Sequence, residues 1–203
     1  MLNAETPRFK LGLFQPETDL GQALLAEALS RQIEVSALVE DLNALPARPG
    51  LRCRIGRLDD ARAVSESVAG LDALIIGFAD IPCHWLCPTI ERVLSGVARA
   101  GVGRVLLVGD WNWLDRPEDH IDRGLGKRLL RSLENAHLDW TLVQSPALGE
   151  NLGADDFTGQ LDHAAEQARQ RALGCACALL DEAQSGQFNH QRMVMRFPDE
   201  PNG

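Results

Sequence analysis

Four acids stand at or just beyond the ends of apolar runs in this 203-residue chain. They are Glu17 after KLGLF, Glu40 after EVSALV, Asp80 after DALIIGF and Asp110 after RVLLVG, and Arg57 follows LRCRIG in the same way. Carboxylates gathered at one end of a fold make a crevice suited to a cation, an amine or a basic side chain, with Arg57 as a counter-charge. Pointing outward, the same groups only keep the strand ends soluble. The loop DWNWLDRPEDH (110–120) adds Trp111 and Trp113, which could stack on a planar ligand, and His120, which could donate a proton. The same tryptophans could instead anchor the loop on the domain or on a second subunit, and packing or an interface is the favoured reading. Cys83, His84 and Cys87 in PCHWLCP, and Cys175 and Cys177 in GCACALL, have zinc-ligand chemistry. Their spacings are not those of zinc sites and their surroundings are apolar, so they read as buried, inert thiols. With Cys53 the cysteines number five, an odd count that argues against a disulfide framework. His84, His137, His163 and His190 are scattered and carry no assigned chemistry.

These side chains can act only if the elements between them bring them together. KLGLF (10–14), EVSALV (34–39), LRCRIG (51–56), DALIIGF (72–78), RVLLVG (104–109) and DWTLVQ (139–144) read as strands, and QRMVMRF (191–197) as a last short one. Several are apolar almost throughout, as in a sheet covered on both faces. Between them, 19–32, 60–69, 89–100, 124–137 and 160–184 read as helices, four of them with apolar stripes at helical spacing. Trp85 and Trp140 fall in apolar segments and are assigned to the core. The alternation predicts an α/β fold: a Rossmann-like, doubly wound, mainly parallel sheet with helices on both faces. It forms a single domain over 1–203, with 1–8 and 198–203 as frayed tails. Apolar residues make up 45% and charged residues 24%, ordinary globular values, and the formal charge of −9 argues against a nucleic-acid partner. No apolar run approaches the roughly 18–20 residues of a membrane span, and MLNAETPRF lacks the order of a signal peptide, so the cytoplasm is the expected compartment. In sheets of this kind ligands lie over the C-terminal strand ends, where the four acids stand.

The strand, turn and helix at 10–30 are followed by EVSALVEDLNALPARPGLRCRIGRLDDARAVSESVAGLDALIIGF, then by GVGRVLLVGD and LDWTLVQSPAL. This succession resembles the atypical short-chain dehydrogenase/reductases of the NAD(P)H-binding, NmrA-like group over about residues 8–197. That group includes flavin-reductase-like and sugar-epimerase-like proteins. The resemblance implies NAD or NADP as cofactor. It carries the cofactor-binding positions onto Gln15, Thr18, Asp19, Leu20, Gly21, Glu40, Arg57, Phe78 and Ala79. Glu40 lies 19 residues after Gly21, near the place of an acid that bonds a ribose 2′-hydroxyl, which favours NAD.

The sequence departs from that group at the first turn. Relatives carry Gly-Ala-Thr-Gly-x-x-Gly there; this chain reads QPETDLG (15–21). Only Gly21 is kept. Gln15 and Thr18 replace the other two glycines, and Pro16 lacks an N–H. Thr18 or Asp19 is placed to cap the helix, and Glu17 and Asp19 put carboxylates where a pyrophosphate would lie. A like-charge contact near 4 Å costs roughly 1 kcal/mol in water and about 4 kcal/mol at an effective dielectric of 20. The chain contains no tyrosine, which excludes a Tyr-x-x-x-Lys mechanism. Its remnant is RGLGK, ending at Lys127, while Asp110 occupies the position of the relatives' Ser. Asp110, His120 and Lys127 are the remaining catalytic candidates. Gln144, followed by Ser145-Pro146, replaces an Arg common after strand six. The expectation is a non-catalytic, ligand-sensing or interaction protein whose ligand or partner is not specified. The alternative is an NAD(P)H-dependent reductase of flavin or quinone type, since hydride transfer to a flavin needs mainly the positioning of two rings. A cation- or metal-dependent enzyme using the acidic crevice is a third, remoter reading. A homodimer is what the resemblance suggests for assembly.

Overall fold

The computed structural model describes residues 9–78, 83–115, 124–145, 157 and 163–197. The elements run β1 (Lys10–Phe14), α1 (Asp19–Ser30), β2 (Glu34–Val39), β3 (Leu51–Ile55), α2 (Ala61–Val68), β4 (Ala73–Gly77), α3 (Cys83–Ala100) and β5 (Arg104–Gly109). After a short 3₁₀ turn (Asn112–Asp115) come α4 (Leu125–Asn135), β6 (Asp139–Gln144), α5 (His163–Ser185) and β7 (Gln191–Val194). The seven strands form one sheet in the order β3-β2-β1-β4-β5-β6-β7. Every pairing is parallel. The order reverses between β1 and β4, so a crevice must open where their crossovers leave in opposite directions.

Strand alternation sorts the side chains into two cores. Leu11 and Leu13 of β1, Ala73 and Ile75 of β4, and Leu106 and Val108 of β5 face α1 and α5. Phe14, Leu74, Ile76, Val105 and Leu107 face α2, α3 and α4. Both faces of the central strands are therefore dry, which explains their unbroken apolar runs. Two helices start on side-chain caps: Thr18 accepts from the Gly21 amide, and Asp60 accepts from the Arg62 and Ala63 amides. At the far end of the sheet Arg104 (β5) and Glu182 (α5) form a buried ion pair. Arg104 also donates to Thr141 Oγ1 (2.7 Å), and Glu182 accepts from the Phe188 amide (2.9 Å). Burial pulls the Arg104 guanidinium below its usual value, against the attraction of Glu182.

Element boundaries differ from the sequence expectation by a residue or two in most places and by more at α3 and β7. α3 begins at Cys83 rather than 89 and carries Pro88 inside it. Proline's missing N–H makes it a natural first helical residue, but here the helix sacrifices one hydrogen bond and gains more than a turn of length. β7 ends at Val194 instead of continuing to 197. Trp85 is also misassigned by sequence: it is 56% exposed on α3, while its neighbours Leu86 and Cys87 are buried. Trp140 is buried as expected. No helix among the described residues is long and apolar enough to cross a membrane.

Candidate functional site

The turn between β1 and α1 begins with Gln15 at φ +57°, the left-handed region that favours glycine. A side chain is thus carried on a backbone conformation that glycine adopts without strain. That side chain reaches across the switch point: its Oε1 lies 2.7 Å from where a Cβ on Gly77 of β4 would stand. Thr18 Oγ1 donates to the Gln15 carbonyl (2.9 Å) and accepts from the Gly21 amide (3.1 Å). Gln22 Nε2 donates to the Pro16 carbonyl (2.7 Å). Gly21 is needed sterically, because a Cβ there would sit 2.3 Å from the Gln15 carbonyl oxygen. Of the two capping candidates, Thr18 caps and Asp19 is the first helical residue. Leu20 is half-buried against the α1–α5 core.

Beside this turn, over the ends of β1, β2 and β3, opens a crevice of about 650 Å³. Its floor is apolar, with Phe14, Leu38 and the backbone of Gly56, and its rim carries Glu17, Glu40, Asp41 and Asp59. Arg57 also lines it, but its guanidinium is held by Asp59 (Nε 2.6 Å, Nη2 2.5 Å). Asp41 accepts from the amide and side chain of Asn43 (2.9 and 3.1 Å). Four carboxylates against one paired guanidinium leave the rim strongly negative.

The end of β5 is built differently. Trp111 is fully buried, and its Nε1 donates to the carbonyls of Leu107 and Val143, both at 3.1 Å. Gln144 Oε1 accepts from the Trp111 amide (2.6 Å), and Gln144 Nε2 donates to Asp110 (3.1 Å). Asp110 also accepts from the Asn112 amide (3.0 Å). Arg192 of β7 ties down the same turn through Asp115 (2.6 Å) and Asn112 (3.0 Å). This network is a plug that closes the strand end.

The sequence-derived ring of Glu17, Glu40, Asp80 and Asp110 therefore needs correcting. Glu17 and Glu40 share a crevice, together with Arg57 and Gln15, but Asp110 does not line it and is engaged by Gln144 instead. Asp41 and Asp59 supply the missing charge. Their signal was the acid doublets Glu40-Asp41 and Asp59-Asp60, of which sequence reading used one member. Phe78 is 4% exposed and packs edge-on against Trp111 at 6.3 Å between centroids. Trp111 and Trp113 are both buried, so neither offers a stacking face. Lys127 is exposed on α4 and does not line the crevice. His120, Ala79, Asp80 and Pro146 lie outside the described residues. Among the described residues no group of His, Cys, Asp or Glu is arranged to hold a metal ion. Cys53, Cys87, Cys175 and Cys177 are in no disulfide, and burial pushes the thiols of Cys53 and Cys177 up, away from reactivity.

A parallel sheet with this strand order and a crevice beside its switch point defines a Rossmann-type fold. The chain belongs to the NAD(P)H-binding family, whose model matches residues 18–172. The match begins at Thr18, just after Gln15, Pro16 and Glu17. Among curated proteins none is significantly similar in sequence. Solved structures share the fold at low identity. A Rossmann-fold NAD(P)-binding family protein from Shigella flexneri is 10% identical with a TM-score of 0.66, over 97% of this chain and 98% of that one. A short-chain dehydrogenase/reductase from Veillonella parvula, in complex with NADP, is 12% identical with a TM-score of 0.64, over 95% and 96%. An oxidoreductase from Lactococcus lactis is 15% identical with a TM-score of 0.64, over 92% and 90%.

Proposed function

We propose that this chain keeps the NAD(P)-binding fold but has closed the diphosphate end of its site, and that it works as a ligand-sensing or interaction protein rather than a hydride-transfer catalyst. The observation that carries this is the Gln15 side chain lying against Gly77, in the switch-point gap where relatives have only backbone. Three further features support it. The Gly21 amide, one of the helix-start donors that would meet a phosphate, is taken by Thr18. Glu17 places a carboxylate on the same rim. The end of β5, where the resemblance puts catalytic groups, is plugged by Trp111, Gln144 and Asp110. The groups present fit the adenosine half of a dinucleotide and not its diphosphate.

A second reading, an NAD(P)H-dependent reductase of flavin or quinone type, is favoured by Glu40. It stands on the crevice rim after β2, where an acid bonds the ribose of NAD. Titration with NADH and NADPH, followed by nicotinamide fluorescence and thermal shift, decides between them. The closed-site reading expects no saturation at millimolar cofactor, and binding in the low micromolar range would overturn it. Under the same reading, Gln15→Gly with Thr18→Gly should restore measurable binding, and adding Glu17→Ala should strengthen it further.

A further inference from the structure

We infer that the crevice over β1, β2 and β3 selects a nucleoside whose 5′ substituent is uncharged or positively charged, and discriminates against 5′-phosphates. The inference rests on the closed-diphosphate reading above and names the class of ligand that site would take.

The cavity itself argues for a flat, partly apolar ligand. Phe14 and Leu38 form its floor, and Gly56 lets the end of β3 lie directly on them, since a Cβ there would stand 2.8 Å from the Phe14 ring and 2.5 Å from Leu38 Cβ. Ile55 on its edge is 46% exposed, a large apolar side chain left open to solvent beside a polar rim. An apolar floor with a few convergent polar groups is the usual make-up of a small-molecule site. A volume of about 650 Å³ accommodates a purine and a ribose with room to spare.

Orientation follows from the fold. An acid after β2 accepts from ribose hydroxyls, which assigns that contact to Glu40 and directs the base towards Gly56 and Leu58. The 5′ carbon then points back to the turn before α1. In most such folds a phosphate meets free amides there. Here it meets the Glu17 carboxylate, Gln15 reaches into the switch-point gap, and the Gly21 amide is already bonded. Asp41 adds charge of the same sign, and Asp59 cancels Arg57, so the rim keeps a net negative charge. A phosphate brings nearly two negative charges to this rim; an amine brings one positive charge.

The test measures dissociation constants by calorimetry near neutral pH for three probes: adenosine, 5′-amino-5′-deoxyadenosine and AMP, with NADH run alongside. The expected result is that the amine binds at least about tenfold tighter than AMP, with adenosine between them. Glu17→Gln should shrink the ratio of amine to AMP severalfold. Glu40→Gln should weaken all three probes, and Glu40→Asp should recover part of the loss; both positions are exposed, so folding is not at stake. A ratio below tenfold, or AMP binding tighter than the amine, overturns the charge selection. No binding of any nucleoside, with NADH also silent, overturns this inference and leaves the closed-site reading standing. Tight NADH binding overturns both.

Discussion

Gln15 carries two burdens at once. Its backbone sits at φ +57°, and its side chain extends to Gly77. A left-handed conformation costs an ordinary L-residue roughly 1–2 kcal/mol, part of which glycine gives back through the entropy of its unfolded chain. Gln15→Gly should therefore leave the protein as stable as before or more stable by up to about 1 kcal/mol. Gln15→Val, β-branched at a positive φ, should destabilise it by about 1–2 kcal/mol. Urea midpoints of the two variants measure the contrast, and a destabilised glycine variant would show that the side-chain contact outweighs the strain. Gly21 was legible in the sequence, because close helix–turn packing needs a glycine at a fixed offset. The reach of Gln15 was not: its neighbour on β4 is 62 residues away, and a side chain's direction depends on a pairing that local spacing does not encode.

At the scale of elements, each face of the sheet has its helices clasped by an arginine. Arg31, just after α1, pairs with Glu27 of α1 and Asp181 of α5, and Arg128 of α4 holds Glu91 of α3, with Ser132 assisting. The Arg128 guanidinium keeps the Glu91 carboxyl below its usual value, and Arg31 does the same for Glu27. A depressed folded pKa means that these pairs stabilise the protein above the ordinary glutamate value of roughly 4.3 and lose their effect as the pH falls through the folded value. Arg128 and Glu91 are 56% and 34% exposed, so water screens the pair. Arg128→Ala should cost under about 1 kcal/mol at neutral pH and flatten the decline in melting temperature below roughly pH 4.5. Trp111 is the stronger fixture: fully buried and bonded to two strand carbonyls, it should cost about 3–5 kcal/mol when changed to Ala, read by denaturant unfolding. The succession of strands and helices along the chain and the helix faces were legible because apolar runs and stripes are local. The start of α3 was hidden by Pro88, and Trp85 was misplaced because buried neighbours on one helix turn say nothing about the residue on the opposite face. Asp110 looked available because its partner, Gln144, comes from the neighbouring strand.

At the scale of the molecule, the formal charge of −9 is not spread evenly in its consequences. Four of the acids meet around one crevice beside the switch point, so the fold's general repulsion of anions becomes a local filter there. The all-parallel sheet has a consequence of another kind, in time rather than in affinity. Leu11 of β1 pairs with Ala73 of β4, so the centre of the sheet closes only when segments 62 residues apart find each other. Among the described residues no neighbouring pair is a hairpin that could form alone and seed the rest. Long loop closures slow the search and leave apolar strands uncovered meanwhile. Stopped-flow refolding should show a main phase in milliseconds to seconds rather than microseconds, with a yield that falls as protein concentration rises. On the ribosome, β1 must wait for β4 to emerge before it has a partner on its second edge.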